Sequence, residues 1–103
     1  MTTSRLEKIQ AMLADEPGDT FLRYSLAMEL DKDGQHDLSL EAFRELIADE
    51  TPYVPAYFMA AQQQARLMNL DLAKSFLRDG IEEARVQGDS HAAGEMSEFL
   101  QSL

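Results

Sequence analysis

The chain has 103 residues, nine Lys and Arg against nineteen Asp and Glu, and a formal net charge of −10. That length is enough for one compact domain and too short for two, and an apolar share of 45% excludes wholesale disorder, which needs low hydrophobicity together with high charge. With no basic face to neutralise phosphates, nucleic acid and anionic membranes are poor partners, and with no Cys there are no disulfides, no thiol chemistry and no Cys-ligated zinc.

The first predicted helix covers residues 4–14. Leu6, Ile9, Met12 and Leu13 recur there at helical spacing, and Ser4 with Glu7 three residues later reads as a capping box. Residues 15–19, with Pro17 and Gly18, stop the chain and restart it. The second helix spans 20–32, with Leu22, Leu26 and Leu30 on one stripe and Phe21, Tyr24 and Met28 on its neighbour. Gly34 supplies the positive φ that ends it. The third spans 36–49, with Leu40, Phe43, Leu46 and Ile47 on its apolar face. Thr51 and Pro52 break the chain again, and Pro55 suits the first turn of a fourth helix that runs to about Leu67. Met68 and Asn69 form the next turn, where Asn69 is expected to take the left-handed conformation. The fifth helix spans 70–85 with Ala73, Phe76, Leu77, Gly80 and Ile81 inward. A loop at 88–90 offers a good N-cap, and the sixth helix spans 91–102 with Ala92, Met96, Phe99 and Leu103 as its buried stripe.

These helices carry a period. At an offset of 34, Ile9 falls on Phe43 and then on Leu77, and Leu13 falls on Ile47 and then on Ile81. Leu6 falls on Leu40, although Lys74 breaks that series. Arg5, Ser39 and Ala73 form a further column, and Leu26 with Ala60 and Ala27 with Ala61 add two more. Several columns in one frame, with no insertion, are far less expected by chance than one.

On these residues the chain resembles the tetratricopeptide repeat family, whose unit is two antiparallel helices of the same period with small side chains where they cross. In residues 20–53 the matching positions are Leu26, Ala27, Leu30, Gly34, Phe43 and Leu46. In residues 54–87 they are Tyr57, Ala60, Ala61, Ala73, Leu77 and Gly80. Residues 1–19 fit the second half of a preceding unit, and residues 88–103 resemble the helix that caps such arrays. Arg23 stands where the family usually has Trp, Ser39 where it has Ala, Thr51 where it has Pro, and Met68 at the turn Gly. The resemblance implies an all-α fold, a right-handed α-α superhelix of about six antiparallel helices. One hairpin cannot bury its apolar face alone, so the flanking helices are expected to cover the two ends.

The resemblance also implies a concave groove lined by the first helix of each unit. Its positions here are Phe21, Tyr24, Ser25 and Met28, then Phe58, Met59, Gln62 and Arg66. Such a lining suits a peptide or amphipathic helix of another protein. The other reading of Phe58 and Met59 is ordinary core beneath a neighbouring helix. The Lys and Asn clamp that some family members close on a partner's C-terminal carboxylate is absent, because Tyr24, Met28 and Met59 take its places. Arg66 alone can pair with a partner carboxylate, or it is simply solvated.

Chemical constellations are poor. Residues 31–37 resemble the opening of a calcium loop, but His36 stands where the loop needs Gly and Ala42 where it needs a bidentate Glu. His91, Glu95 and Glu98 share a helical face without a second cluster to complete a metal site. No Ser has a recognisable elbow or base, and no Gly-rich loop cradles a phosphate. No catalytic, cofactor-binding or metal-binding residue is therefore assigned. Met1 to Leu13 lacks the apolar run of a signal peptide, and no stretch reaches the roughly eighteen apolar residues of a membrane span, so a cytoplasmic location is expected. Residues 20–53 carry three basic and eight acidic side chains, net −5, whereas 54–87 carry four of each, so a basic partner would dock on the first half. The expected function is a non-enzymatic protein-protein interaction module. The alternative is a homo-oligomer in which an end helix such as 91–102 fills the groove of a second copy.

Overall fold

The computed structural model describes residues 4–103. These form six helices: α1 (Arg5–Asp15), α2 (Thr20–Lys32), α3 (His36–Ile47), α4 (Val54–Arg66), α5 (Leu70–Val86) and α6 (Ser90–Ser102). No strand occurs among the described residues. Three helix starts have side-chain caps. The Ser4 hydroxyl accepts from the Glu7 N–H at 3.1 Å, Asp19 from Leu22 at 2.8 Å and Asp89 from Ala92 at 3.0 Å, each satisfying an otherwise orphaned donor.

The turns repeat with the period. After α2, the Gly34 N–H donates to the Asp31 carbonyl at 3.1 Å and the Gln35 N–H to Leu30 at 2.9 Å. After α4, Met68 donates to Ala65 at 3.0 Å and Asn69 to Gln64 at 2.8 Å, the same bonds one period later. The left-handed residue of the second turn is thus Met68, with φ 64°, and not Asn69, whose φ is −89°. The bond pattern puts the positive φ one residue before the next helix cap, so position overrides residue preference. Asn69 instead donates from Nδ2 to Gln64 Oε1 at 2.8 Å. The same turn joins α5 to α6 at Gly88; the caps Asp19 and Tyr53 of α2 and α4 are one period apart, but the cap of α6, Asp89, comes two residues late, so the regular spacing stops at α5.

The recurring columns mark the core. Ile9, Phe43 and Leu77 are 4%, 1% and 0% exposed, and Ala27, Ala61, Ser39 and Ala73 are fully buried. Ala73, Phe76, Leu77, Gly80 and Ile81 are all buried along α5, and Phe43 and Leu46 along α3. Three expected stripes are only partly buried, keeping Leu30 on α2, Met96 on α6 and Ile9 on α1. On α2 the buried residues are Ala27 and Leu30, with Leu22 and Leu26 only half-buried. On α6 they are Ala93 and Met96, while Ala92, Phe99 and Leu103 are half-buried. On α1 only Ile9 is buried, with Leu6 and Leu13 half-buried and Met12 exposed.

Each helix packs on its neighbour in sequence. In addition α2 touches α4 and α4 touches α6, whereas the backbones of α1 and α3, and of α3 and α5, stay apart, α3 reaching α5 through the Arg44 guanidinium 5.2 Å from the centre of the Phe76 ring. The row whose members touch is the inside of a bend, so this all-α stack curves towards α2, α4 and α6. The result is an elongated body of 45 × 29 × 19 Å.

Two of the residues that depart from the tetratricopeptide pattern, Arg23 and Ser39, have partners within the chain. Arg23 forms a two-bond ion pair with Asp49 across α2 and the end of α3, at 2.8 and 3.1 Å. The buried Ser39 hydroxyl donates to the Ala27 carbonyl at 2.6 Å.

Candidate protein-binding face

The eight residues expected to line a groove lie on α2 and α4, six of them in matching registers. Tyr24 and Phe58 occupy one column, Ser25 and Met59 a second, and Met28 and Gln62 a third. They do not share one open surface. The Tyr24 ring is half-buried, 6.2 Å from the Phe43 ring and edge-on to Tyr53 at 5.2 Å. Burial pushes its phenol pKa up, and the neighbouring Tyr53 adds to this. Phe58 lies 5.8 Å from the Phe99 ring of α6, so a neighbouring helix covers part of it. Met28 and Met59 are half-buried against the core, and Gln62 is half-buried beside them.

Phe21 and Ser25 turn elsewhere. Both line a crevice of about 200 Å³ between α1 and α2, against Ile9 and Met12. Phe21 is 70% exposed there.

Arg66 is engaged within the chain, its Nη2 donating to Asp31 Oδ2 at 2.6 Å. Asp31 is a junction. Its other oxygen accepts from Gln63 Nε2 at 3.0 Å and lies 2.8 Å from His36 Nδ1. The chain of bonds continues inward from Gln64 to Gln63 at 3.0 Å and from Asn69 to Gln64 at 2.8 Å. Burial raises the Asp31 pKa, but the bonds from Arg66, Gln63 and His36 outweigh it and hold the carboxyl below its usual range. Gln63 and Gln64 are 0% and 3% exposed, yet among the described residues no buried side-chain polar atom lacks a partner. Nothing in the sequence reading singles out this network. Its signal is present all the same: Gln64 stands in the column of buried Leu30, a polar residue where the period demands an apolar one.

His91 pairs with Glu95 at 3.1 Å on the exposed face of α6, and among the described residues no three His, Asp or Glu side chains gather where a metal ion could bind. The Asp49 carboxyl is held low by its bonds to Arg23, so both displaced carboxylates are stabilised as anions and neither is poised as an acid. Among the described residues no helix is long and apolar enough to cross a membrane. What this surface offers is shape, apolar contact and a few hydrogen-bonding groups along a curved row of helices.

No family model matches the chain, and no curated protein matches it. Among solved structures it is similar to the solution structure of protein BPP2914 from Bordetella parapertussis, with a TM-score of 0.82 and 22% sequence identity, over 98% of this chain and 88% of that one. At that identity the likeness is one of fold.

Proposed function

We propose that the protein is a non-enzymatic binding module of the tetratricopeptide kind, which takes a peptide or helix of another protein on the inner row of α2, α4 and α6. The observation that carries this reading is the bend itself. The backbones of successive first helices approach each other while those of the second helices stay apart, and the half-buried Met28, Met59 and Gln62 lie on those first helices. Thioether and amide side chains adapt to varied apolar and amphipathic segments. The excess acid of residues 20–53 favours a partner with basic flanks. A cytoplasmic setting fits a chain with no Cys, which needs no oxidising compartment to fold.

Affinity capture from the native cell tests this, comparing wild type with Met28→Lys/Gln62→Lys after circular dichroism has verified that both fold. A partner recovered by wild type and lost by the variant supports the inner row. Equal recovery of every partner by both overturns it.

A further inference from the structure

We infer that the open crevice between α1 and α2 is a helix seat, and that its occupant is helix α1 of a second copy, docked antiparallel about a two-fold axis.

The template lies inside the molecule. α2 packs against α3 and α4, and three contacts fasten it to α3: Arg23 to Asp49, Tyr24 to Phe43, and the Ala27 carbonyl to Ser39. One period earlier, the counterparts of these α3-side partners are Asp15, Ile9 and Arg5, all on α1. The seat is therefore built twice, and among the described residues its first instance is left exposed at Met12 and Phe21. Leu46 is fully buried beneath α2, whereas its counterpart Met12 is 48% exposed. Ala56 is fully buried, whereas its counterpart Leu22 is half-buried beside a largely bare Phe21. Two adjoining hollows of about 200 and 210 Å³ share Met12 and Leu22 and run along α1.

Charge identifies the occupant. Asp15 and Glu16 border the hollow at one end, and Lys8 borders it at the other, beside an Arg5 already paired with Glu29 at 2.8 Å. Lys8 and Asp15 stand about 10 Å apart along the helix axis. Across a two-fold axis passing near Ala11 and Met12, an antiparallel α1 brings each copy's basic end onto the other's acidic end. This repeats the Arg23–Asp49 arrangement, in which the first turn of the seated helix pairs with the last turn of its support. Ala11 and Ala14 are small and exposed, which lets the two helix backbones approach. Phe21 and Met12 supply the apolar centre. An isologous contact of this kind closes on itself and does not propagate. Helix α6 is a poorer occupant, because its apolar residues Ala93 and Met96 are buried in its own chain and its outer face presents Glu95 and Glu98.

Light scattering and sedimentation over a concentration series test this on the full chain. The expected result is a particle approaching twice the 11.6 kDa of one chain, dissociating as salt is raised. Phe21→Asp is expected to raise the dimer dissociation constant about tenfold or more with the melting temperature little changed, because the ring is mostly solvated already. Lys8→Glu and Asp15→Lys should each weaken the dimer, and the two together should restore it, since each reversed charge meets its reversed partner across the axis. A protein that stays monomeric at all concentrations overturns the proposal. So does a dimer indifferent to Phe21→Asp, or one that the double reversal fails to restore. None of these outcomes bears on the inner row, whose test is the capture experiment.

Discussion

Gly34 and Met68 stand one period apart and hold the same left-handed backbone, with φ of 80° and 64° and matching turn hydrogen bonds. Glycine adopts that conformation without penalty, and methionine must bring Cβ close to the following carbonyl. Met68 gains nothing in return from packing, as its side chain is largely exposed. Met68→Gly is therefore expected to stabilise the protein by about 1 kcal/mol, and Gly34→Ala to destabilise it by a similar amount. Chemical denaturation of both variants checks the pair, and a destabilising Met68→Gly would contradict the assignment of strain.

Gly80 serves a different need. A Cβ built there would sit 2.6 Å from Tyr57 Cβ and 2.7 Å from Met96 Sδ, at the meeting of α4, α5 and α6. The Met96 sulfur can swing aside, but Tyr57 Cβ is fixed to its helix backbone. Gly80→Ala gains helix propensity of about 1 kcal/mol and loses more to overpacking, for a net destabilisation of about 1–3 kcal/mol. Gly94→Ala is the control, with nothing within 4 Å of the added carbon, and should be stabilising by about 0.5–1 kcal/mol. Thermal melts of the two should move in opposite directions.

Asp31 and Asp49 make folding acid-sensitive. Burial pushes the Asp31 carboxyl up, but its bonds to Arg66, Gln63 and His36 bring it down, and the bonds from Arg23 lower Asp49. A carboxyl depressed in the folded state contributes stability that is present above its unfolded pKa and lost as pH falls through the folded value. Stability is thus expected to fall below about pH 4, and Asp31→Asn should flatten that part of the profile while lowering stability at neutral pH. Urea midpoints between pH 2 and pH 7 provide the measurement, and an unchanged acid slope in Asp31→Asn would show that the junction is not responsible.

Helix α1 covers the outer side of α2 through buried Ile9 and half-buried Leu6 and Leu13. Removing residues 1–17 exposes that side and should cost about 2–4 kcal/mol or cause aggregation. A truncated chain with undiminished helicity and the same melting temperature would show that the remaining helices suffice.

Much of the helical layout was legible because its determinants are local. Apolar spacing, the cap at Ser4, the capping loop at 88–90, and breaks at Pro17, Gly34 and Pro52 act over a few residues, so they place six helices without knowledge of the fold. The left-handed turn residue was not legible, because intrinsic preference points to Asn69 while the bonding pattern shared with Gly34 selects Met68. On α6 Met96 is buried as its spacing suggests, but Ala93 is buried too while Ala92, Phe99 and Leu103 are only half-buried, because which flank of the stripe is covered depends on how the last helix lies against α4 and α5.

The inner-face residues were identifiable only as a column, and a column does not say what stands opposite. Tyr24 meets Tyr53 and Phe43, Phe58 meets Phe99, Phe21 turns into the α1–α2 crevice, and Arg66 is taken by Asp31, pairings that join distant parts of the chain. The sequence alone determined the number, extent and periodicity of the helices, because those depend on neighbours within a turn or two. Only the tertiary structure decided which side chains of each stripe remain open, because that depends on how separate helices approach one another, and the partner of a surface residue is chosen by packing across the fold.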